Sequence, residues 1–269
     1  RDRDQRRPGP AAAARHVKYA IEPDEPPADG LVRIIRGEVR KVRLADPADP
    51  DFLRRARIAS KRVRAALHLC RSLMGDKAFR RQNAWWRDQA RLVSDQRDAL
   101  AAIESVRRLV EQLLDPEEAR LAGMLAERLA HAAPSHLWLE GAQEGADAAA
   151  RRLHAALANA PTPDPHALKS RGLDGLADAY VATYARARRA LRWAAASGEV
   201  ERYHDWRKLA KRHALQTRLL RRLAPGLEER VAPARALALK LGGLQDTSVI
   251  LRALMTLGDP PGGEDGRRR

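Results

Sequence analysis

Apolar residues recur at intervals of three and four along most of the chain, and this periodicity restricts the fold more than any other feature of the sequence. The spacing places apolar side chains on one face of an α-helix, whereas no segment shows the alternation of a half-buried strand. Aromatic residues make up only 4% of the chain, while the helix-forming residues Ala, Leu, Arg and Glu are abundant. The sequence therefore predicts an all-α protein.

Proline, glycine and aspartate residues divide this pattern into helices and separate it from both ends of the chain. Residues 1–30 and 258–269 show no sustained period, so we expect a disordered tail or linker in each. Between them we predict one helical domain, 31–257, with a first half at 31–159 and a second half at 173–257. Its predicted helices lie near 31–44, 51–74, 78–94, 96–114, 116–132, 136–159, 173–197, 200–223, 228–241 and 245–257.

The sequence lacks the marks of several protein classes. Cys70 is the one cysteine, so the chain forms no disulfide within itself, and no Cys/His cluster has the spacing of a structural zinc site. No apolar run approaches the roughly 18 residues of a membrane span, and residues 1–4 are charged, unlike a signal peptide. We therefore expect a cytoplasmic protein without membrane contact. Because the sequence starts with Arg, we also expect a trimmed chain or a fragment.

The charge of the chain indicates a polyanionic partner. Basic residues number 51 against 35 acidic ones, which gives a net charge of +16. Such an excess favours nucleic acid, an anionic membrane or a phosphate polymer. Two short windows hold most of it: residues 51–75 contain seven basic residues and one acidic residue, and residues 199–223 contain eight and three.

A repeat relates the two basic windows. The motif Arg-x-x-x-Lys-Arg occurs at residues 57–62 and again at 207–212, 150 residues later, and at the same offset His68 corresponds to Arg218. We therefore predict a duplicated antiparallel helix-bundle unit, whose two copies pack most simply about a pseudo-two-fold axis.

Within each window the basic side chains share one face of the predicted helix. Steps of three and four residues confine them to a stripe about 100° wide, where neighbouring like charges cost roughly 0.2–0.5 kcal/mol per pair. A solvated face is the alternative, but recurrence at equivalent positions in both copies favours a bound anion. The first stripe consists of Arg54, Arg57, Lys61, Arg64, His68 and Arg71, and the second of His204, Arg207, Lys211, Arg218 and either Arg221 or Arg222.

The composition of the stripes selects among polyanions. Neither stripe contains an interleaved aromatic residue, so each offers contacts for phosphates and no platform for bases. The opposite face of each helix must build the core, which argues against insertion into a membrane. In the first helix this apolar face holds Ile58, Val63, Ala65, Ala66, Leu69 and Cys70, and we also expect the tryptophans in the core: Trp85, Trp86, Trp138, Trp193 and Trp206.

None of the common enzyme motifs is present, neither a phosphate-binding Gly-rich loop nor a zinc-protease or serine-hydrolase signature. Asp98 and Asp246 recur in both copies, but each follows a break and precedes a helical pattern. We therefore expect them to cap helices or to pair with arginines rather than to act as acid, base or metal ligand. No catalytic residue, metal or cofactor is predicted.

These motifs resemble those of the conserved-histidine α-helical domain (CHAD) family over about residues 31–257. Four segments carry the resemblance, and they occur in the family's order. They are Arg-Ile-Ala-Ser-Lys-Arg-Val-Arg-Ala-Ala-Leu-His-Leu at 57–69, Arg97-Asp98, His-Asp-Trp-Arg-Lys-Leu-Ala-Lys-Arg at 204–212 and Leu-Gly-Gly-Leu-Gln-Asp at 241–246.

The resemblance implies two similar helical bundles about a pseudo-two-fold axis, with a central basic groove or pore that binds inorganic polyphosphate. It also implies association with polyphosphate granules in bacteria. Family members often carry an N-terminal triphosphate-tunnel (CYTH) domain, for which residues 1–30 are too short, so a stand-alone domain or a trimmed chain is implied.

The family's motif His-x-x-Arg-x-x-x-Lys/Arg-Arg maps residue by residue onto both copies. Two positions depart from it: Arg54 stands where the first copy would have its His, and Ala214 where the second copy would have an Arg. The first change keeps a phosphate donor and the second removes one contact. The motif maps onto His204, Arg207, Lys211 and Arg212, and in the first copy onto Arg57, Lys61, Arg62 and Arg64.

The sequence thus predicts a non-catalytic polyphosphate-binding protein. A protein that binds the backbone of RNA or DNA is the first alternative, and an enzyme acting on phosphate esters or polyphosphate is the second. The predicted binding residues are Arg54, Arg57, Lys61, Arg62, Arg64, His68, His204, Arg207, Lys208, Lys211, Arg212, Arg218 and Arg222.

Binding through many phosphate contacts predicts a steep dependence on salt. Each contact releases a condensed counterion, so the logarithm of the affinity for polyphosphate should fall linearly with the logarithm of salt concentration. For duplex DNA the slope is about −0.9 per contact. Titrations at several salt concentrations measure this slope, and a flat dependence would indicate a compact pocket for a small ligand instead.

Overall fold

The computed structural model describes residues 18–92, 139–168 and 172–256, together with residues 117, 120, 123 and 124. In these residues every regular element is helical, which confirms the predicted fold class. The elements are α1 (Pro27–Arg43), α2 (Phe52–Leu69), α3 (Arg71–Met74), α4 (76–92), α5 (Leu139–Ala156), a 3-10 turn (Leu157–Asn159), α6 (Pro165–Leu168), α7 (Gly172–Ser197), α8 (Val200–Leu220) and α9 (Leu227–Thr256).

The structure differs from the predicted helices in two internal breaks. The expected break at 242–243 is absent, and α9 runs through both glycines, so the helices predicted at 228–241 and 245–257 are one. A glycine within a helix costs about 1 kcal/mol relative to Ala, which packing against a neighbouring helix can offset. The segment predicted at 51–74 is instead two helices that meet at the buried residue Cys70. The predicted helix at 96–114 lies outside the described residues.

The core lies mainly between α1 and α2. Leu31, Ile34 and Ile35 of α1 are completely buried or nearly so, as are Phe52 and Leu67 of α2. The 3-10 turn and α6 close this core against α1. The apolar face predicted for α2 is buried except for Ile58, which is 38% exposed.

Helices α7, α8 and α9 form the second packed unit. Gly198, at φ +68°, makes the tight turn between α7 and α8, so these two helices run antiparallel. Helix α8 packs extensively against both α7 and α9. Helix α2 also contacts α7 and α8, and this contact joins the core around α1 to the second unit.

The N-terminal segment 18–26 corrects the expectation that residues 1–30 form a tail. Tyr19 is 3% exposed and Ile21 is completely buried, and the backbone N–H of Ile21 donates a 2.9 Å hydrogen bond to the carbonyl of Leu219 in α8. Helix α1 begins at Pro27, earlier than predicted. An irregular segment of this kind has no periodicity, so the sequence pattern does not distinguish it from a tail. Residues 1–17 lie outside the described part of the chain.

Gly30 permits this N-terminal segment to lie against α1. A Cβ atom at Gly30 would stand 2.7 Å from Oε1 of Glu25 and 2.9 Å from Cγ2 of Ile21, both too close for real contacts. Glu25 in turn accepts a hydrogen bond of 2.9 Å from Nε of Arg33, one turn further along α1. The side-chain hydrogen bond from Arg33 lowers the pKa of Glu25, so its carboxylate stays charged as the segment is held in place.

Replacing Tyr19 by Ala should separate a packed segment from a tail. Loss of a buried aromatic ring costs about 3–5 kcal/mol, whereas a substitution in a solvated tail changes stability by about 0.5 kcal/mol or less. Chemical denaturation measures the difference. Lys18→Ala, next to it and exposed, is the matched control. Equal stabilities of the two variants would contradict the packing of residues 18–26.

Candidate functional site

Helices α2 and α8, which carry the two basic windows, lie against each other. Gln216 of α8 is completely buried, and its Nε2 donates a 3.1 Å hydrogen bond to the carbonyl oxygen of Ala65 in α2. A buried polar side chain that is hydrogen-bonded in this way fixes the position of one helix on the other. The contact brings together two segments separated by 151 residues of sequence.

The two helices cross in opposite directions at this contact. The charge of Arg62 in α2 lowers the pKa of Arg218 in α8. Further along α2, the pKa of His68 is lowered by the charge of Arg212, which comes earlier in α8. Basic side chains of both windows therefore lie on each side of the crossing.

On one side of the crossing, a buried carboxylate compensates the arginine from α2. Glu38 of α1 is 2% exposed, and its carboxylate accepts hydrogen bonds of 3.1 Å from Arg62 and 2.7 Å from Lys41. The guanidinium carbons of Arg62 and Arg218 lie 5.3 and 5.9 Å from the ring centroid of Tyr19, within cation–π range. Groups of the protein itself therefore compensate most of the positive charge on this side.

The hydroxyl of Tyr19 belongs to the same side of the crossing. It donates a 3.0 Å hydrogen bond to the backbone carbonyl of Arg62. Burial raises the pKa of Tyr19, and the charge of Glu38 raises it further, so the hydroxyl remains a neutral donor. Burial lowers the pKa of Arg218, with smaller contributions from the charges of Arg62 and Arg221.

The other side of the crossing carries an arginine cluster, which we define as Arg64 and His68 of α2, Arg186 of α7 and Arg212 of α8. Burial lowers the pKa of Arg212 to about 10, with the charges of Arg64 and Arg186 contributing to the shift. In the part of the chain that the structure describes, the charged neighbours that shift this pKa are both arginines. Arg212 remains protonated near neutral pH, in surroundings that disfavour its charge.

Arg64 is held in the cluster from α4. Its Nε donates a 3.1 Å hydrogen bond to Oδ1 of Asn83, a neutral acceptor that orients the guanidinium group without neutralising it. Burial lowers the pKa of Arg64, the charges of Arg87 and Arg91 on α4 lower it further, and Asp88 acts in the opposite direction. Cations from α2, α4, α7 and α8 therefore converge on this side.

His68 is the neutral member of the arginine cluster. Its ring packs edge-on against Phe79 of α4, with centroids 4.9 Å apart. Burial, followed by the charges of Arg212, Arg64, Arg186 and Arg71, lowers its pKa from 6.5 to about 3. The imidazole is therefore uncharged near neutral pH, contrary to a role as a permanent cation in the stripe.

Three predicted binding residues form ion pairs at the surface. Nε of Arg54 lies 2.8 Å from Asp51 and Nζ of Lys208 lies 3.1 Å from Asp205, one turn earlier in each case. Arg222 pairs with Glu22 of the N-terminal segment. Arg71, the last residue of the first stripe, pairs likewise with Asp76 at 2.8 Å. These cations are already matched by carboxylates, whereas the charged groups that shift the pKa of Arg212 are both arginines.

The remaining predicted residues lie on the same two helices. Arg57 is half-buried beside a small pocket that Trp86 and Gln89 also line, and Lys61 is exposed. The three that lie on α8, His204, Arg207 and Lys211, are half-buried. Each of the five takes part in an interaction with a partner: Arg57, Lys61, His204, Arg207 and Lys211.

Three residues of the crossing were missed by sequence reasoning. Arg186 lies outside both basic windows, although four arginines occur at 186–192 without an acidic residue among them, a signal that was available. Glu38 and Tyr19 gave no signal, because their roles depend on the packing of α1 and the N-terminal segment. The expectation of core tryptophans was wrong for Trp193, which is 59% exposed and stacks with Arg202, whose guanidinium carbon is 3.9 Å from the ring centroid.

Among the residues that the structure describes, no group of three or more His, Cys, Asp or Glu side chains is placed to hold a metal ion. In the same residues, no helix combines the length and the apolar character needed to cross a membrane. Asp98 lies outside the described residues. Asp246 falls in the interior of α9, so the prediction that it caps a helix N-terminus was wrong, and its side chain is also outside the described residues.

Comparison with known protein families identifies a domain that contains this crossing. The CHAD domain model matches residues 31–255, most of the chain, from within α1 to within α9. The chain belongs to the CHAD family. No curated protein and no solved structure matches it. The CHAD domain includes both basic helices and the whole arginine cluster.

The state of His68 predicts how the stability of the CHAD domain depends on pH. The unfolded chain binds a proton at His68 with a pKa of about 6.5, and the folded chain only near 3. Between these values the unfolded state holds one more proton, so stability falls as pH decreases below about 6.5, by up to about 1.4 kcal/mol per pH unit. His68→Gln should remove this part of the decrease, measured by chemical denaturation at pH 7 and pH 5.

The control for this pH dependence is His154→Gln, since His154 packs beside Phe52 rather than in the arginine cluster. This variant should retain the decrease seen in the unmodified protein. An unchanged decrease in His68→Gln would show that His68 titrates normally in the folded domain.

Proposed function

We propose that this CHAD domain is a non-catalytic binding protein for inorganic polyphosphate, and that Arg64 and Arg212 of the arginine cluster are the centre of its binding site. The family is associated with polyphosphate binding in general. The observation that carries the proposal is the composition of the cluster. Arg64 of α2 and Arg212 of α8 lie on the same side of the buried contact between these helices, and the charges that lower the pKa of Arg212 are those of arginines.

The energetics of the cluster favour an anionic ligand. A partly buried guanidinium group loses hydration, and like charges nearby add repulsion that no described carboxylate offsets at Arg212. A bound phosphate would replace the lost hydration with charge-assisted hydrogen bonds, which are the stronger kind. Arginine suits this role because its planar fork of donors matches phosphate oxygens.

An extended ligand fits the arrangement better than a single ion. The predicted binding residues follow α2 and α8 away from the crossing, through Lys61 on one helix and Arg207 and Lys211 on the other. Linked phosphates that contact such a row share the loss of translational freedom, whereas separate ions each lose their own. This supports a linear polymer of phosphate as the ligand.

The contacts at the crossing also support a pseudo-two-fold relation between the halves. At the 150-residue offset of the sequence repeat, Arg62 corresponds to Arg212 and His68 to Arg218. The two electrostatic pairs across the crossing, Arg62 with Arg218 and His68 with Arg212, are therefore exchanged by that correspondence. Such an exchange is the signature of an isologous contact. We propose that α2 and α8 line a basic groove on this axis and that the protein associates with polyphosphate granules.

The main alternative is a protein that binds the backbone of nucleic acid. The same cations would attract RNA or DNA, so charge alone does not separate the two ligands. Bases, however, would need aromatic side chains beside the arginine cluster. Phe79 there is 5% exposed and already packs against His68, so the cluster offers phosphate contacts without an open stacking surface.

Removing the charge of Arg64 and Arg212 tests the proposal. The double substitution Arg64→Gln, Arg212→Gln should weaken polyphosphate binding at least about a hundredfold, because each of the two charge-assisted hydrogen bonds lost costs about 1.5–3 kcal/mol. The matched control is Arg80→Gln, Arg202→Gln, which removes two charges that carboxylates already match and that are not among the predicted binding residues. Fluorescence titration measures affinity, and circular dichroism verifies that both variants are folded.

The same titration, repeated with RNA as competitor at equal phosphate concentration and at two salt concentrations, separates the two ligands. Polyphosphate should displace RNA at both salt concentrations. Equal losses in the two double variants would contradict the arginine cluster as the site, and stronger binding of RNA would replace polyphosphate by nucleic acid as the ligand.

A further inference from the structure

The two sides of the helix crossing differ in what the neighbouring helix contributes. Helix α1 packs on α2 and brings Glu38 to Arg62, at 3.1 Å. Helix α7 likewise packs on α8, but there the charge of Arg186 lowers the pKa of Arg212, the residue that corresponds to Arg62 in the repeat. At the 150-residue offset of the repeat Glu38 corresponds to Arg188, and Arg186 lies two residues earlier on the same helix. An acid on one side is thus replaced by a base on the other.

The face of α7 that carries Arg186 is set by the helical period. Thr183, Ala187 and Ala194 are buried and form the contact stripe of α7. At 100° per residue, Arg186 and Arg188 fall on opposite flanks of this stripe. Arg188 lies on the flank of Tyr184, whose ring centroid is 5.9 Å from its guanidinium carbon and which packs against His213.

Arg186 therefore lies on the flank that faces the arginine cluster. Helix α7 contacts α2 as well as α8, and the charge of Arg186 lowers the pKa of both Arg212 and His68. Its side chain is exposed, so it is accessible to a ligand.

We propose that Arg186 is a further polyphosphate-binding residue, and that it completes a subsite in which phosphates contact α2, α7 and α8 together. This inference rests on the proposed function. At the corresponding place on the other side, the protein supplies its own anion, Glu38. At Arg186 the anion comes from the ligand, and a third guanidinium group increases the negative charge that the subsite can accept.

The first test removes the charge of Arg186. Arg186→Gln should reduce the affinity for polyphosphate about tenfold at low salt, because one charge-assisted contact is lost. It should also make the slope of log affinity against log salt shallower by about one contact. The matched control is Arg188→Gln, with the same change of charge on the same helix but on the other flank, and its affinity should stay within about twofold of the unmodified protein.

The second test converts the subsite into a copy of the other side. Arg186→Glu should bind polyphosphate more weakly than Arg186→Gln, yet without ligand it should melt at a higher temperature, since the new carboxylate can pair with Arg212 as Glu38 pairs with Arg62. A merely structural Arg186 would not produce weaker binding together with higher stability. Arg188→Glu, the control, should show no comparable gain in melting temperature.

The outcomes separate this inference from the proposed function. If the unmodified protein binds no polyphosphate, both fail. If it binds and loses affinity in Arg64→Gln, Arg212→Gln but equally little in Arg186→Gln and Arg188→Gln, only the role of Arg186 is overturned. A melting temperature of Arg186→Glu no higher than that of Arg188→Glu would overturn the placement of Arg186 beside Arg212, and with it the proposed subsite.

Discussion

The buried contact between Gln216 and Ala65 holds two arginine-rich helices together, and the rest of the structure has to compensate their charge. A hydrogen bond from a fully buried amide to a backbone carbonyl requires α2 and α8 to approach closely. Both helices are rich in arginine, so close approach concentrates positive charge on each side of the crossing. Electrostatic repulsion in partly buried surroundings is costly, and each side needs an anion, from the protein or from a ligand.

The protein meets this need in two different ways. On the side of α1, Glu38 and the ring of Tyr19 contact Arg62. Tyr19 comes from a segment that is itself held by a backbone hydrogen bond to α8 and by an ion pair with Arg222, which follows α8. On the side of α7, Arg186 adds to the charge, and His68 stays neutral. Under the proposed pseudo-two-fold relation, two equivalent sides thus have opposite electrostatic roles, one structural and one proposed for a ligand.

Sequence reasoning succeeded where local periodicity decides the outcome. The helical class and most helix positions follow from the three-and-four spacing, and the pairing of the two basic helices agrees with the repeat of residues 57–62 at 207–212. It failed where a tertiary contact decides. The burial of Tyr19, the ion pair of Glu38, the continuity of α9 through 242–243 and the exposure of Trp193 all depend on what packs nearby, which no window of sequence contains. Arg186 lies outside both basic windows, and its place at the crossing depends on which flank of α7 it occupies.

The neutral imidazole of His68 and the mutual repulsion of the arginines affect how fast the protein is degraded in a cell. Under the proposed function, the empty domain opens more readily than the loaded one, because an anion that binds only the folded state stabilises it. Proteases act on the open form in proportion to its population. The abundance of the chain would then rise and fall with the supply of its polyanion, so turnover of the protein itself would report how much phosphate polymer is stored.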